Sequence, residues 1–351
     1  MSVNLGFAQA SSDFLTAALL IYSLAVLAFA GDYAFGRPRR KAAAKATAPA
    51  VAQLATVGAG PAAGSVGSLD EPAEPPSPAA PALPVRPLGA FQAMWAAGPW
   101  VRIAAALSAL GMLAHVIAIV TRGLAVHRAP WGNMYEFVTA LTCVAALFFG
   151  YIVVRYRAWA LGVFVMGAVT ISLGLAEALI NTPAGPLVPA LQSYWLSIHV
   201  TAMTLATGIF FVAAVLGILY LVSQRYRKRV AEGKAEGGNG LMERIPSAEQ
   251  LDKLTYRTVV FGFPVWTFGV IAGAIWADQA WGRYWGWDPV ETWAFVTWVI
   301  YAAYLHARAT AGWRGARAHY IQLLAFATLM INIFVIQIFI TGMHSYAGVA
   351  G

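Results

Sequence analysis

Residues 195–223 read WLSIHVTAMTLATGIFFVAAVLGILYLVS, 29 residues without a single Lys, Arg, Asp or Glu. About 20 apolar residues in helical conformation cross a hydrocarbon core of roughly 30 Å. Comparable runs fall at about 14–35, 99–121, 134–154, 158–180, 258–277, 291–310 and 319–340. Hydrocarbon offers the backbone no hydrogen bonds, so each run must close its N–H and C=O groups within itself as a helix. The chain therefore reads as all-α, a polytopic integral membrane protein with about eight transmembrane helices. Soluble α/β and all-β folds are excluded.

Composition agrees. Of 351 residues, 60% are hydrophobic and 11% charged, against roughly 25% charged in a soluble domain; mean hydropathy is +0.65. The net charge of +8 does not signal a nucleic-acid partner, because the basic residues cluster at the ends of apolar runs, where they orient helices. With the amino terminus outside, 20 of the 23 Lys and Arg residues fall on the inner side. Only Arg122, Arg128 and Arg283 stay outside, and both termini are then outside. The first run ends at Tyr33-Ala34-Phe35 before Arg37, Arg39, Arg40 and Lys41, and reads as a retained helix rather than a cleaved signal. Residues 37–98 are rich in Ala, Pro and Gly and read as a disordered cytoplasmic linker. It separates a first helix, 1–36, from a transmembrane core, 99–346, with a tail at 347–351. The lone cysteine, Cys143, lies in an apolar run, excludes internal dithiol chemistry and reads as a small core residue.

One outer segment stands apart: Trp276-Ala277-Asp278-Gln279-Ala280-Trp281-Gly282-Arg283-Tyr284-Trp285-Gly286-Trp287-Asp288-Pro289. Tryptophan favours membrane interfaces, but an interfacial belt scatters over many helix ends. Four tryptophans beside two glycines in one loop, 276–291, suit a planar π-ligand approached closely by backbone. Asp288, Pro289 and Glu291 open the next helix as N-cap, first residue and first-turn acid.

Two histidines share that depth. His199 lies about one turn inside the outer end of its span, and His344 just beyond the outer end of the last one. Two imidazoles flanking a flat aromatic platform suit axial ligation of a haem iron. His306 follows Asp288 by 18 residues, roughly 27 Å deeper, and an ionisable group there is a functional-site hypothesis. His115 lies at a different depth and does not share an iron with it. His127 reads as solvated in an outer loop, and His319 as a solvated helix end on the inner side. By elimination Arg122, Arg128 and Arg283 are the outer cations available to anionic groups.

The pattern Trp276…Trp281-Gly282-x-x-Trp285-x-Trp287-Asp288-Pro289-x-Glu291-Thr292-Trp293 resembles the WWD haem-handling signature of CcsA/ResC-type subunits of system II cytochrome c synthase. Pro130-Trp131-Gly132-Asn133-Met134-Tyr135-Glu136, Trp195 through Val200, Tyr304-Leu305-His306-Ala307-Arg308 and Met343-His344-Ser345-Tyr346 match in the same order. Val290 departs from the pattern, since many relatives carry Lys there. The resemblance implies a haem lyase of a bacterial plasma membrane, acting with a ResB-type subunit, whose substrate is haem b. Haem is carried to the outer face and held under the loop between His199 and His344, with Trp276, Trp281, Trp285, Trp287 and Asp288 around it. A CxxCH apocytochrome c then receives it through two thioethers. His306 would ligate haem in transit, opposite a ligand on the partner. The alternative is a haem exporter or delivery protein without lyase activity.

The topology is testable by labelling. Cysteines placed at Ser193 and Ala280 should react with an impermeant thiol reagent applied from outside, and one at Gly238 should not; the opposite pattern inverts the map.

Overall fold

Helical hydrogen bonding within each apolar run produces the architecture seen in the computed structural model, which describes residues 3–35, 90–186, 191–234 and 244–345. The elements are α1 (Leu5–Phe35), α2 (Ala90–Ala97), α3 (Pro99–Val126), α4 (Met134–Tyr156), α5 (Gly162–Leu179), α6 (Tyr194–Ala231), α7 (Ala248–Trp281), α8 (Pro289–Ala309) and α9 (Ala316–Ile331). A π turn, Asn332–Ile336, and a last helical turn, Gln337–Phe339, extend α9. No strand occurs among the described residues. The protein is an all-α polytopic membrane protein: seven of the eight long helices are long and apolar enough to cross a bilayer. The remaining one, α8, has 21 residues, or about 31 Å at 1.5 Å per residue. It is richer in Trp, Tyr and Thr and packs against α7 and α9.

Most of the expected linker, residues 37–89, lies outside the described residues, as does Gly36. Within the linker, residues 90–97 are helical instead, as α2. There Pro and Gly give way to Ala90-Phe91-Gln92-Ala93-Met94-Trp95, and the Arg102 guanidinium lies 4.5 Å over the Trp95 ring.

Close approach between helices sets the packing. Helix α1 runs along α3 and touches α5, while α6 runs along α7. A Cβ at Gly111 would sit 2.6 Å from the Tyr22 ring, so only glycine admits that ring, the small-residue logic of helix pairs in lipid. Tyr22 also brings its hydroxyl to 3.4 Å from His115 Nδ1, and both side chains are fully buried. Cys143 is buried as a core residue.

Hydrogen bonds between elements define one end of the bundle. The Asn4 N–H donates to the Ala125 carbonyl at 2.9 Å. Arg122 donates to Thr182 O and Arg128 to Gly185 O, at 2.6 and 3.0 Å. Ser193 Oγ donates to Gln279 Oε1, and the Met343 N–H to Asp288 Oδ1. The start of the chain, the loop after α3, the start of α6, the α7–α8 loop and the segment after α9 thus gather together.

At the opposite end, Arg308 grips Asp252 with two bonds of 2.6 and 3.0 Å and lies over the Tyr256 ring at 4.8 Å. His319 joins them. Its Nε2 is 3.2 Å from Asp252 Oδ1, and its ring stacks on Tyr220 with centroids 3.9 Å apart. Expected as a solvated helix end, His319 is only 1% exposed. The first turns of α9 pack against α6, where Gly217 leaves room for the Gln322 amide, and this covers the ring. Asp252→Asn should strand a buried guanidinium and cost about 3 kcal/mol, read as a lower unfolding midpoint in detergent micelles.

Candidate functional site

Helix α7 runs further than the apolar run suggests, so Trp276 and Trp281 belong to its last two turns rather than to a loop. The helix stops at Gly282, whose φ of +72° is the left-handed conformation that a glycine cap adopts without steric cost. The connecting loop is therefore short, 282–288, and the tryptophans divide by position. Trp276 is 2% exposed, Trp281 packs edge-on against it at 4.7 Å, and Trp285 is half-buried. Trp287, with φ +58°, turns outward and is 67% exposed.

The loop is wound around Glu291. Its Oε2 accepts the N–H groups of Gly286 and Asp288 at 2.9 and 3.2 Å, and Arg283 donates to Oε1 at 3.2 Å. Sequence reasoning assigned Glu291 only to the helix start. The spacing that makes it the third residue of a capping box is legible, but the return of the loop onto its carboxylate is not.

His199 and His344 come together on the same tryptophan. The His199 ring lies parallel to Trp276, with centroids 6.1 Å apart. His344 meets Trp276 and Trp281 edge-on at 5.8 and 5.0 Å. Each imidazole has one nitrogen committed. The Nδ1–H of His199 donates to the Gly269 carbonyl at 2.8 Å, and the Nδ1–H of His344 donates to Asp288 Oδ2 at 2.8 Å. An acceptor on Nδ1 fixes the proton there and leaves the Nε2 lone pair available, the arrangement found behind metal-ligating histidines. A Cβ at Gly273 would lie 2.6 Å from His199 Cε1, so this glycine is what admits the ring.

Asp288 is the residue whose second role the sequence did not reveal. It caps α8 through the Val290 N–H and accepts the Met343 N–H at 2.6 Å as well as His344. Burial alone would raise its pKa. The hydrogen bonds from His344, Met343 and Val290 outweigh that and hold it below the ordinary 3.8.

Both imidazoles line one cavity of about 180 Å³, together with Trp131, Trp276, Trp285 and Glu291. The wall at Trp131–Met134 was legible only as part of a matched motif. Trp281, Trp287 and Asp288 are not among the lining residues. The three outer arginines do not line it either. Arg122 and Arg128 pair with the buried carboxylate of Glu136 at 2.9 and 2.8 Å, and Arg283 with Glu291. Elimination by sequence had left them as free cations; each instead has a carboxylate partner.

His306 lies apart from this assembly, in the last turn of α8 on an exposed face shared with Phe295 and Val299. His127, exposed and in left-handed conformation, caps α3. Tyr346 lies outside the described residues.

Comparison with known proteins covers this whole assembly. A family model described as cytochrome C assembly protein matches residues 131–344. The cytochrome c biogenesis protein CcsA of Guillardia theta is 37% identical over 254 residues, spanning 68% of this chain and 83% of that one. Its namesake in Gloeobacter violaceus is 32% identical over 298 residues, 70% of this chain and 86% of the other. Among solved structures, cytochrome c heme lyase CcmF superposes with a TM-score of 0.58 at 17% identity, over 95% of this chain. This chain spans 47% of that one, and at such identity the likeness is one of fold.

The depressed pKa of Asp288 carries a sign. Its contribution to stability is present above about pH 4 and lost as pH falls through the lower folded-state value. Asp288→Asn should be less stable than wild type at pH 7 and lose less stability on acidification, measured by thermal unfolding in micelles across pH.

Proposed function

Because the chain belongs to the cytochrome c assembly protein family, as a CcsA-type cytochrome c biogenesis protein of the membrane, we propose that its cavity presents haem b to apocytochromes. The observation that carries this reading is the pair of imidazoles, His199 and His344, both anchored through Nδ1 beside Trp276 and both lining one cavity. Their free Nε2 atoms are the axial ligands of the haem iron. Trp276 and Trp285 give aromatic walls to a flat macrocycle, while Trp281 buttresses Trp276 and His344. Exposed Trp287 offers an aromatic contact to the incoming chain.

The two ligands differ in how they are held. His199 sits in a long helix and is tied to backbone. His344 sits in a short segment after α9 and is tied to a side chain, Asp288. His344 is thus the ligand better placed to yield when the histidine of a CxxCH motif arrives. Each cysteine thiol then adds across one vinyl group, its sulfur bonding to one vinyl carbon and its proton going to the other, with no net oxidation. The reaction takes place on the outer face of a bacterial-type plasma membrane; the clustering of basic residues at the other end of the helices supports that orientation, with both chain termini outside.

His306 is the transit ligand. It lies at the opposite end of α8 from the cavity, on an exposed face that leaves its second axial position to a ResB-type partner. Haem, the apocytochrome and that subunit are the partners of this reading.

Three variants purified with the partner test it. His199→Ala and His344→Ala should lose most copurified haem and the low-spin bis-imidazole spectrum, and added imidazole should restore part of both. His306→Ala should lower haem per folded protein while the remaining haem keeps the wild-type spectrum, and haem supplied from outside should correct the deficit. Unchanged haem content and spectrum in the first two variants would end the ligand assignment. Haem released outside without covalent attachment to a CxxCH substrate would favour an exporter.

A further inference from the structure

The cavity wall at Trp131–Met134 comes from the turn between α3 and α4, and no hydrogen bond holds its indole. Trp131 Nε1 is buried without a partner among the described residues. The ring therefore takes its place from its backbone and from packing. That backbone is tied on both sides. The Trp131 N–H donates to the Ala129 carbonyl at 3.0 Å, and Arg128 Nη1 donates to the same oxygen at 2.9 Å. Just after Trp131, the Gly132 N–H donates to Glu136 Oε2 at 2.8 Å.

Glu136 is the centre of this arrangement. It is the third residue of α4, whose N-cap is Asn133. The glutamate of a capping box returns to the N–H of the cap residue itself. Glu136 reaches past it to Gly132, while its own N–H donates to Asn133 Oδ1 at 2.8 Å. Its side chain is 1% exposed and meets two guanidinium groups. Arg122 donates to Oε1 and Arg128 to Oε2, and each arginine also reaches a carbonyl beyond α5, Thr182 for the first and Gly185 for the second. One carboxylate thus ties α3, the 128–133 turn and the segment after α5 together.

A buried ion group is a costly way to stabilise a fold, since apolar side chains of similar volume often do as well or better. What charged hydrogen bonds add is direction, because each fixes one atom relative to another. Here the fixed atoms flank a cavity residue whose side chain has no anchor of its own. The α7–α8 loop is built in the same way. Glu291, third residue of α8, gathers Gly286, Asp288 and Arg283 beside Trp285, which lines the same cavity. Two connections far apart in the chain each deliver a tryptophan to the cavity around a buried first-turn carboxylate.

We propose that Glu136 is a positioning residue for haem binding, acting through Trp131, and that Trp131 is a haem contact. Glu136 fixes the 128–133 turn, and the turn sets the indole against the macrocycle. This rests on the haem reading above. It adds a wall drawn from α3 and α4, elements that carry neither proposed axial ligand.

Purified full-length protein in micelles is titrated with iron protoporphyrin IX, and affinity is read from the low-spin spectrum. Trp131→Ala should weaken binding about tenfold by removing an aromatic wall. Soret circular dichroism, which responds to aromatic rings beside the macrocycle, should change with it. To disturb Glu136 without stranding a buried charge, Arg122→Met, Arg128→Met and Glu136→Leu are combined. This variant should fold, as buried ion groups replaced whole by apolar residues do, and keep the low-spin spectrum. It should nevertheless lose affinity about tenfold and show the Soret change of Trp131→Ala. Adding Trp131→Ala to it should weaken binding no further, the signature of changes that act through one contact. Glu136→Gln, compared per folded molecule, carries the same expectation where the triple variant does not accumulate. Losses that multiply to about a hundredfold would overturn the proposal. So would wild-type affinity in Trp131→Ala or in the folded triple variant. Wild-type spectra in His199→Ala and His344→Ala would remove the haem site itself, and this wall with it. That result concerns the ligands, whereas multiplied losses with an intact low-spin spectrum concern Glu136 alone.

Discussion

The carboxylate of Asp288 is the contact through which the loop end of the molecule becomes one object. It accepts from Val290 at the start of α8, from the Met343 backbone and from His344. Two pieces of chain far apart in sequence, 288–290 and 343–344, therefore meet at two oxygen atoms. Without it, the segment after α9 would have no fixed place, and His344 no fixed tautomer. Its neighbour Glu291 does the same for residues 283–288. The tryptophans can then occupy different positions, Trp276 inside and Trp287 outside, although they are close in sequence.

Beneath that end, the hydrocarbon environment governs everything else. Polar groups in the spans must meet one another, because lipid cannot serve them. Tyr22 goes to His115, Trp298 to Thr267, and Arg308 with His319 to Asp252. The division of charge follows the same logic. The arginines on the loop side are matched by Glu136 and Glu291, so the cavity itself has no Lys or Arg in its wall and is mostly apolar.

On the proposed haem reading, this arrangement separates holding haem from releasing it. His199 stands on a helix of 38 residues and is bound to a helix carbonyl. His344 depends on a single carboxylate at the edge of the bundle. A site that must grip iron and then surrender it to another histidine benefits from that inequality, since only one ligand has to move.

The sequence by itself determined the all-α membrane architecture and the common depth of His199, His344 and the tryptophans. These follow from run length, residue charge and a fixed rise per residue, all of which are local. It also located the cap at Asp288, because capping is read from adjacent positions. Tertiary structure alone decided what depends on which helix lies beside which. It buried His319 against α6, placed Trp276 and Trp281 in helix rather than loop, and gave each outer arginine a carboxylate. It also joined Asp288 to His344 across 56 residues and set Trp131 and Trp276 around one cavity. Side-chain partners across helices are fixed by packing angle and rotation about each helix axis, and neither is encoded in the spacing of residues along a single run.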